Sequence, residues 1–107
     1  MAEPYLTDLR KLAERWTASD GSVGSLECRH FFSGAAAYRD HSVVATLTPV
    51  GLAFKVNPET REFLLSSGEA VPLRYFPESP IKKDYVLFSE GDVDPRMAAQ
   101  LILGYRA

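Results

Sequence analysis

The chain has 107 residues, a mass of 11.9 kDa and an ordinary globular composition of 46% hydrophobic and 24% charged residues. One domain spanning residues 1–107 is long enough to bury roughly 65% of its extended-chain surface without disulfide or metal staples. The net charge of −2 and the pI near 5.6 disfavour direct nucleic-acid binding, because domains that neutralise phosphates are usually basic.

The first predicted element is an amphipathic helix that starts at Pro4. Apolar residues recur behind this proline at three- and four-residue spacing, over about four turns. The stripe consists of Tyr5, Leu9, Leu12 and Trp16, flanked by Leu6 and Ala13. Turn-forming residues between Ser19 and Ser22 end the helix, so Trp16 is expected to anchor the core.

From Ser25 to Val56 the hydrophobic period changes to two, which predicts strands. The alternation places four residues on one face of the first strand, with Glu27 and Arg29 on the other: Leu26, Cys28, His30 and Phe32. The further strand segments are Ala35 to Arg39, Val43 to Thr48 and Leu52 to Val56. We interpret the first three strands as an antiparallel meander, because the connections between them are too short for helical crossovers. The alanines at 35 to 37 would let a helix lie close to the sheet.

Asn57 and Pro58 predict the start of a second helix, with Asn57 as a side-chain cap. Replacing that cap with Ala would cost about 1 kcal/mol. We expect this helix to bury Phe63 and Leu64 and to stop near Ser66–Gly68.

Two further strands and a last helix complete the pattern. The strands are Val71 to Phe76 and Tyr85 to Phe88, separated by a segment in which Pro77 and Pro80 exclude a regular strand. Asp94 and Pro95 repeat the cap-and-proline start. The stripe that follows comprises Met97, Ala98, Leu101, Ile102 and Tyr105.

These elements predict an α+β two-layer fold with three helices and an antiparallel sheet of about five strands. The element order is α-β3-α-β2-α, with the helices on one face of the sheet. We expect the other face to be polar or to be covered by a second copy of the chain.

The residues offer little for catalysis. Cys28 and His30 lie two apart, so a thiol beside a base is geometrically allowed. Free cysteine is nevertheless among the most buried residue types, and Leu26 and Phe32 share the face, which favours a core role. The alternative to a non-catalytic protein is a small-molecule-binding domain or minor enzyme with a pocket near Cys28, His30 and Tyr38.

Other sites are weaker still. His41 is the only further histidine and falls in a turn, so we predict no metal site. Glu90, Asp92 and Asp94 resemble a solvated loop with a helix cap rather than an acid–base pair. Phosphate-loop and hydrolase motifs are absent from the sequence, so we predict no catalytic residues and no cofactor.

The sequence also indicates the cellular compartment of the protein. Cys28 is the single cysteine, which fits a reducing compartment. The first twelve residues lack the apolar run of a signal peptide, and no stretch reaches the roughly 20 apolar residues that span a membrane. We therefore expect a cytoplasmic protein that does not associate with membranes.

The run from Arg29 to Asp40 resembles the TfoX N-terminal domain family, named for the bacterial Sxy/TfoX competence regulators. Members typically read Arg-x-Met-Phe-Gly-Gly, followed by a Tyr and an Asp before a hairpin. Five residues match this pattern as they stand: Arg29, Phe32, Gly34, Tyr38 and Asp40. Phe31 and Ser33 replace the family's Met and first Gly. Leu52 to Val56, followed by Glu59 to Arg61, is similar to the family's next strand and helix start.

The resemblance implies a secretion-chaperone-like fold and a non-catalytic regulatory or protein-interaction module. We expect a homodimer, with a protein partner and without catalytic residues. The resemblance places the candidate functional surface at Arg29, Phe32, Gly34 and Tyr38. Each of these residues also has a structural interpretation, which for Gly34 is a positive φ or a close backbone approach.

Overall fold

The computed structural model describes residues 3–89 and 93–105, in which three α-helices and six strands form an α+β domain. The elements are α1 (Glu3–Ser19), a 3-10 turn (Gly21–Val23), β1 (Glu27–Phe31), β2 (Gly34–Arg39), β3 (Ser42–Thr48), β4 (Gly51–Lys55), α2 (Pro58–Ser67), β5 (Val71–Leu73), β6 (Lys82–Phe88) and α3 (Pro95–Gly104). The predicted count of about five strands is one short of the six observed, since four strands rather than three precede α2. A turn at residues 49–50 separates β3 from β4.

All strands join one antiparallel sheet in the order β1-β2-β3-β4-β6-β5. The first four strands form an antiparallel meander, which is one strand longer than expected. Asp40 and His41 connect β2 to β3 with φ values of 52° and 69°, the left-handed pair typical of a tight hairpin turn. After α2 the chain returns so that β6 pairs with β4, and β5 takes the outer edge.

The helices cover one face of this sheet. α1 lies across β1, β2 and β3 and also contacts α3. Its buried stripe consists of Leu6, Leu9, Ala13 and Trp16, while Tyr5 and Leu12 are half-buried at its margins. Ala35 and Ala37 lie in this core with no exposed surface, which fits the expected close approach of a helix. The Trp16 ring packs against Phe54 with centroids 5.3 Å apart.

The prolines mark the helix starts correctly, but the predicted side-chain caps are wrong. Pro58 and Pro95 are the first residues of α2 and α3, and neither Asn57 nor Asp94 caps a helix amide with its side chain. The Asn57 Nδ2 atom instead donates to the Gly104 carbonyl at 2.7 Å. This bond ties the start of α2 to the end of α3.

Several boundaries also differ from the prediction. α2 buries Leu64 but leaves 65% of Phe63 exposed, because only one side of this short helix faces the sheet. The strand expected to reach Phe76 stops at Leu73, and Tyr105 follows α3 rather than belonging to it. No helix among the described residues is both long and apolar enough to cross a bilayer.

Candidate functional site

The sheet face opposite the helices is called here the second face, and its centre is buried although no helix lies on it. Strand alternation sends Phe54 into the helix-side core and Ala53 to the second face. Ala36, Thr46 and Ala53 have no exposed surface. The expectation of a polar face or a second copy is incomplete, because the chain covers part of this face with its own β5–β6 connection.

That connection, residues 74–81, is a hydrogen-bonded turn. Ser79 is 8% exposed, and its Oγ donates to the Phe76 carbonyl at 2.8 Å and accepts from the Phe76 amide at 3.3 Å. Arg74 donates through Nη1 to the carbonyl of Ser79 at 3.0 Å. The Tyr75 hydroxyl lies 3.5 Å from Thr46 Oγ1. These contacts dock the turn on the second face.

A groove of about 830 Å³, here the aromatic groove, opens between this turn, the β1–β2 turn and the strands. Its rings are those of Phe31, Phe32, Tyr75, Phe76 and Tyr85. The other lining residues are Ser33, Thr48, Lys55, Glu78, Ser79, Pro80, Lys82 and Asp84. A concave site of about 300–1,000 Å³ with apolar walls and a few polar groups is typical of ligand sites.

Aromatic rings concentrate near the β1–β2 turn. Phe31 and Phe32 meet edge to face with centroids 4.6 Å apart, and Phe31 lies 6.3 Å from Tyr75. Phe32 is 86% exposed and Phe76 is 65% exposed. Phe32 also has a φ of 51°, a left-handed conformation that a bulky residue rarely adopts. The groove therefore has aromatic walls and an aromatic rim.

The other end of the groove carries hydrogen-bond donors. Lys55 and Tyr85 are cross-strand partners on β4 and β6. The Lys55 ammonium lies between two rings, 5.9 Å from that of Tyr85 and 5.7 Å from that of Tyr105. Burial raises the pKa of the Tyr85 phenol, and burial also raises that of Tyr75, so both hydroxyls keep their protons at neutral pH.

Of the four residues on the predicted surface, Arg29 and Tyr38 come together. The Arg29 guanidinium lies 4.9 Å from the Tyr38 ring centroid and pairs with Glu27 at 2.9 Å. This ion pair lowers the pKa of the Glu27 carboxyl. Strand alternation from Phe31 puts Arg29 on the second face, beside the aromatic groove but outside its lining.

Phe32 and Gly34 lie at the β1–β2 turn. Phe32 forms the rim of the groove: 86% of its surface is exposed, and its ring contacts that of Phe31. Gly34 is buried, and a Cβ there would clash with the Leu47 carbonyl and approach the Cα of Thr48 to 2.8 Å. Close backbone approach is thus the reason for this glycine.

The alternative pocket near Cys28, His30 and Tyr38 is not assembled in this form. Cys28 is buried and lines a cavity of about 590 Å³ beside α1 that neither His30 nor Tyr38 lines, and burial raises the pKa of its thiol. His30 is exposed, and Tyr38 contacts Arg29 on the other side of the sheet. A protonated thiol on the helix side is a poor nucleophile.

The remaining candidate groups do not converge either. His41 lies in the β2–β3 turn, and no cluster of three metal-ligating side chains occurs within residues 3–89 and 93–105. Asp94 is exposed, while Glu90 and Asp92 lie outside the described residues.

Sequence reasoning missed the part of the groove formed by Lys55, Tyr75, Phe76 and Tyr85. The Pro77-Glu78-Ser79-Pro80 run signals a turn, and its flanking aromatics were assigned to strands. The signal in the sequence that could have indicated this part of the groove is the run of apolar residues beside a proline-rich connection. No protein-family model matches this chain, and no curated protein matches it in sequence.

Proposed function

We propose that this chain is a non-catalytic regulatory or protein-interaction module of the TfoX N-terminal type. In this proposal it acts in the bacterial cytoplasm as a homodimer and presents the second face to its partner. The Arg29 to Asp40 run and the helix–sheet order support the family assignment.

The exposed aromatic rim carries the proposal. Phe32 is exposed over 86% of its surface and Phe76 over 65%, and both border the same groove. Clustered exposed apolar side chains mark interaction sites on proteins. The left-handed φ of Phe32 adds a cost of roughly 1–2 kcal/mol that a packing role does not explain.

Charge favours a second copy as one occupant of this face. The charged residues of the groove are two cations, Lys55 and Lys82, and two anions, Glu78 and Asp84. A two-fold dimer places the same patch on both subunits, so the patch must complement itself. A neutral patch with both signs and exposed rings meets that requirement.

The test compares the effect on dimerisation of replacing the two rim phenylalanines with that of replacing an exposed phenylalanine outside the groove. Phe63 on α2 is 65% exposed, as Phe76 is, but does not line the groove. Sedimentation equilibrium at micromolar concentration is expected to give a dimer for the wild type and for Phe63→Ser. The double variant Phe32→Ser/Phe76→Ser is expected to be a folded monomer, because it lacks both rim rings.

Trp16, the single tryptophan, lies in the helix-side core, so its fluorescence monitors folding of each variant. A strictly monomeric wild type would remove the dimer from the proposal. A dimer that survives the double substitution would remove the second face as its interface.

A further inference from the structure

We propose that the aromatic groove binds a small planar aromatic molecule that carries one carboxylate. The ligand is an addition to the interaction module proposed above. It occupies the interior of the groove, whereas the protein partner contacts the exposed rim. It rests on the shape of the groove, on its rings and on the donors at one end.

The groove has the dimensions of a single small ligand. Its volume is about 830 Å³. Thr48 pairs with Gly51 at the ring-rich end, and Lys55 lies four residues farther along β4, roughly 13 Å away at 3.3 Å per residue. A fused ring system with an attached carboxylate fits within this distance.

The rings define the body of the ligand. Phe31 and Tyr75 stand 6.3 Å apart with their planes inclined at 58°. Offset and edge-to-face contacts between aromatic rings favour a flat π system over a saturated chain of equal volume. Phe31 and Phe32, edge to face at 4.6 Å, extend the same wall toward solvent.

The donors at the far end define the acidic group. Among the described residues, Lys55 and Lys82 form no ion pair, and the Tyr85 hydroxyl forms no hydrogen bond. An ammonium beside a protonated phenol supplies charge-assisted and neutral hydrogen bonds to a carboxylate. The Lys55 ammonium contacts the ring of Tyr85, which lines the groove, and the ring of Tyr105, which does not.

The acidic residues limit the ligand to one negative charge. Glu78 and Asp84 also line the groove, so its lining is neutral overall. A polyanion such as a nucleic-acid strand would meet these carboxylates and gain little from two lysines. A monoanion can pair with Lys55 and leave the other charges solvated.

The probe is 2-naphthoate, titrated into the 107-residue protein and followed by amide chemical-shift changes and calorimetry. We expect saturable binding with shifts at residues 31–33 and 74–85. Lys55→Met is expected to weaken binding tenfold or more, because a hydrogen bond to a charged group is worth about 1.5–3 kcal/mol. Lys55→Arg should retain most of the affinity.

Lys83 supplies the matched control, since it lies on β6 but does not line the groove. Lys83→Met is expected to bind naphthoate as the wild type does. The neutral 2-naphthalenemethanol and the non-aromatic octanoate are both expected to bind at least tenfold more weakly. Trp16 fluorescence confirms that each variant is folded.

Three results would overturn the inference: no saturable naphthoate binding, equal losses in the Lys55→Met and Lys83→Met proteins, or octanoate binding as tightly as naphthoate. The dimer proposal can fail independently of the ligand site. A monomer that binds naphthoate through Lys55 keeps the ligand site and contradicts the dimer.

Discussion

Phe32 combines two features that proteins ordinarily avoid in one residue, a left-handed backbone and an almost fully exposed aromatic ring. The sequence pattern assigned this residue to the buried face of a strand. Alternation in fact ends at Phe31, and the two-residue turn rotates Phe32 outward. For Gly34 the sequence left open a positive φ or a close backbone approach, and only the position of the neighbouring strand shows that the contact with Leu47 is the cause.

Replacing Phe32 with Asn separates folding from binding. Asn tolerates the left-handed region, whereas the lost ring contact with Phe31 is worth only about 0.5–1.5 kcal/mol. The free energy of unfolding is expected to stay constant or to rise by up to about 1 kcal/mol, measured by urea denaturation with Trp16 fluorescence. Dimerisation should weaken in the same variant. A loss of stability above 1 kcal/mol would show that Phe32 is a packing residue.

The helices were the most predictable elements, because proline positions and a 3.6-residue period are local signals. Pro58 and Pro95 start α2 and α3 as expected. The predicted order placed three strands before α2, although Val43 to Thr48 and Leu52 to Val56 are separate segments of the sequence and form β3 and β4. The turn of residues 74–81 could not be placed, since its docking depends on Tyr75 meeting Thr46 across the sheet.

Asn57 tests how α2 and α3 are joined. A side chain that caps a helix tolerates replacement by aspartate, whereas a side chain that donates a hydrogen bond to another helix does not. Asp caps a helix as well as Asn does, but its carboxylate cannot donate to the Gly104 carbonyl. We expect Asn57→Ala and Asn57→Asp each to lower the free energy of unfolding by about 1 kcal/mol. Thermal unfolding at pH 7 provides the measurement. Full stability in the aspartate variant would restore the capping interpretation.

At the scale of the whole molecule, the two faces of the sheet have different roles. The helix side forms the hydrophobic core around Trp16 and Phe54, and it was largely predictable from periodicity. The second face holds the aromatic groove, whose walls come from three separate parts of the chain. No local pattern brings Phe31, Lys55 and Tyr75 together, so the site emerges only from the folded sheet.

Hydrogen–deuterium exchange at low and high protein concentration tests most directly whether the second face is the binding surface. We predict that a higher protein concentration slows exchange at residues 31–33 and 74–82 and leaves exchange on the exposed side of α1 and α2 unchanged. Dimer contacts at the groove rim would produce this pattern, because they exclude water there. Slowed exchange confined to α1 or α2, or no dependence on concentration, would contradict it.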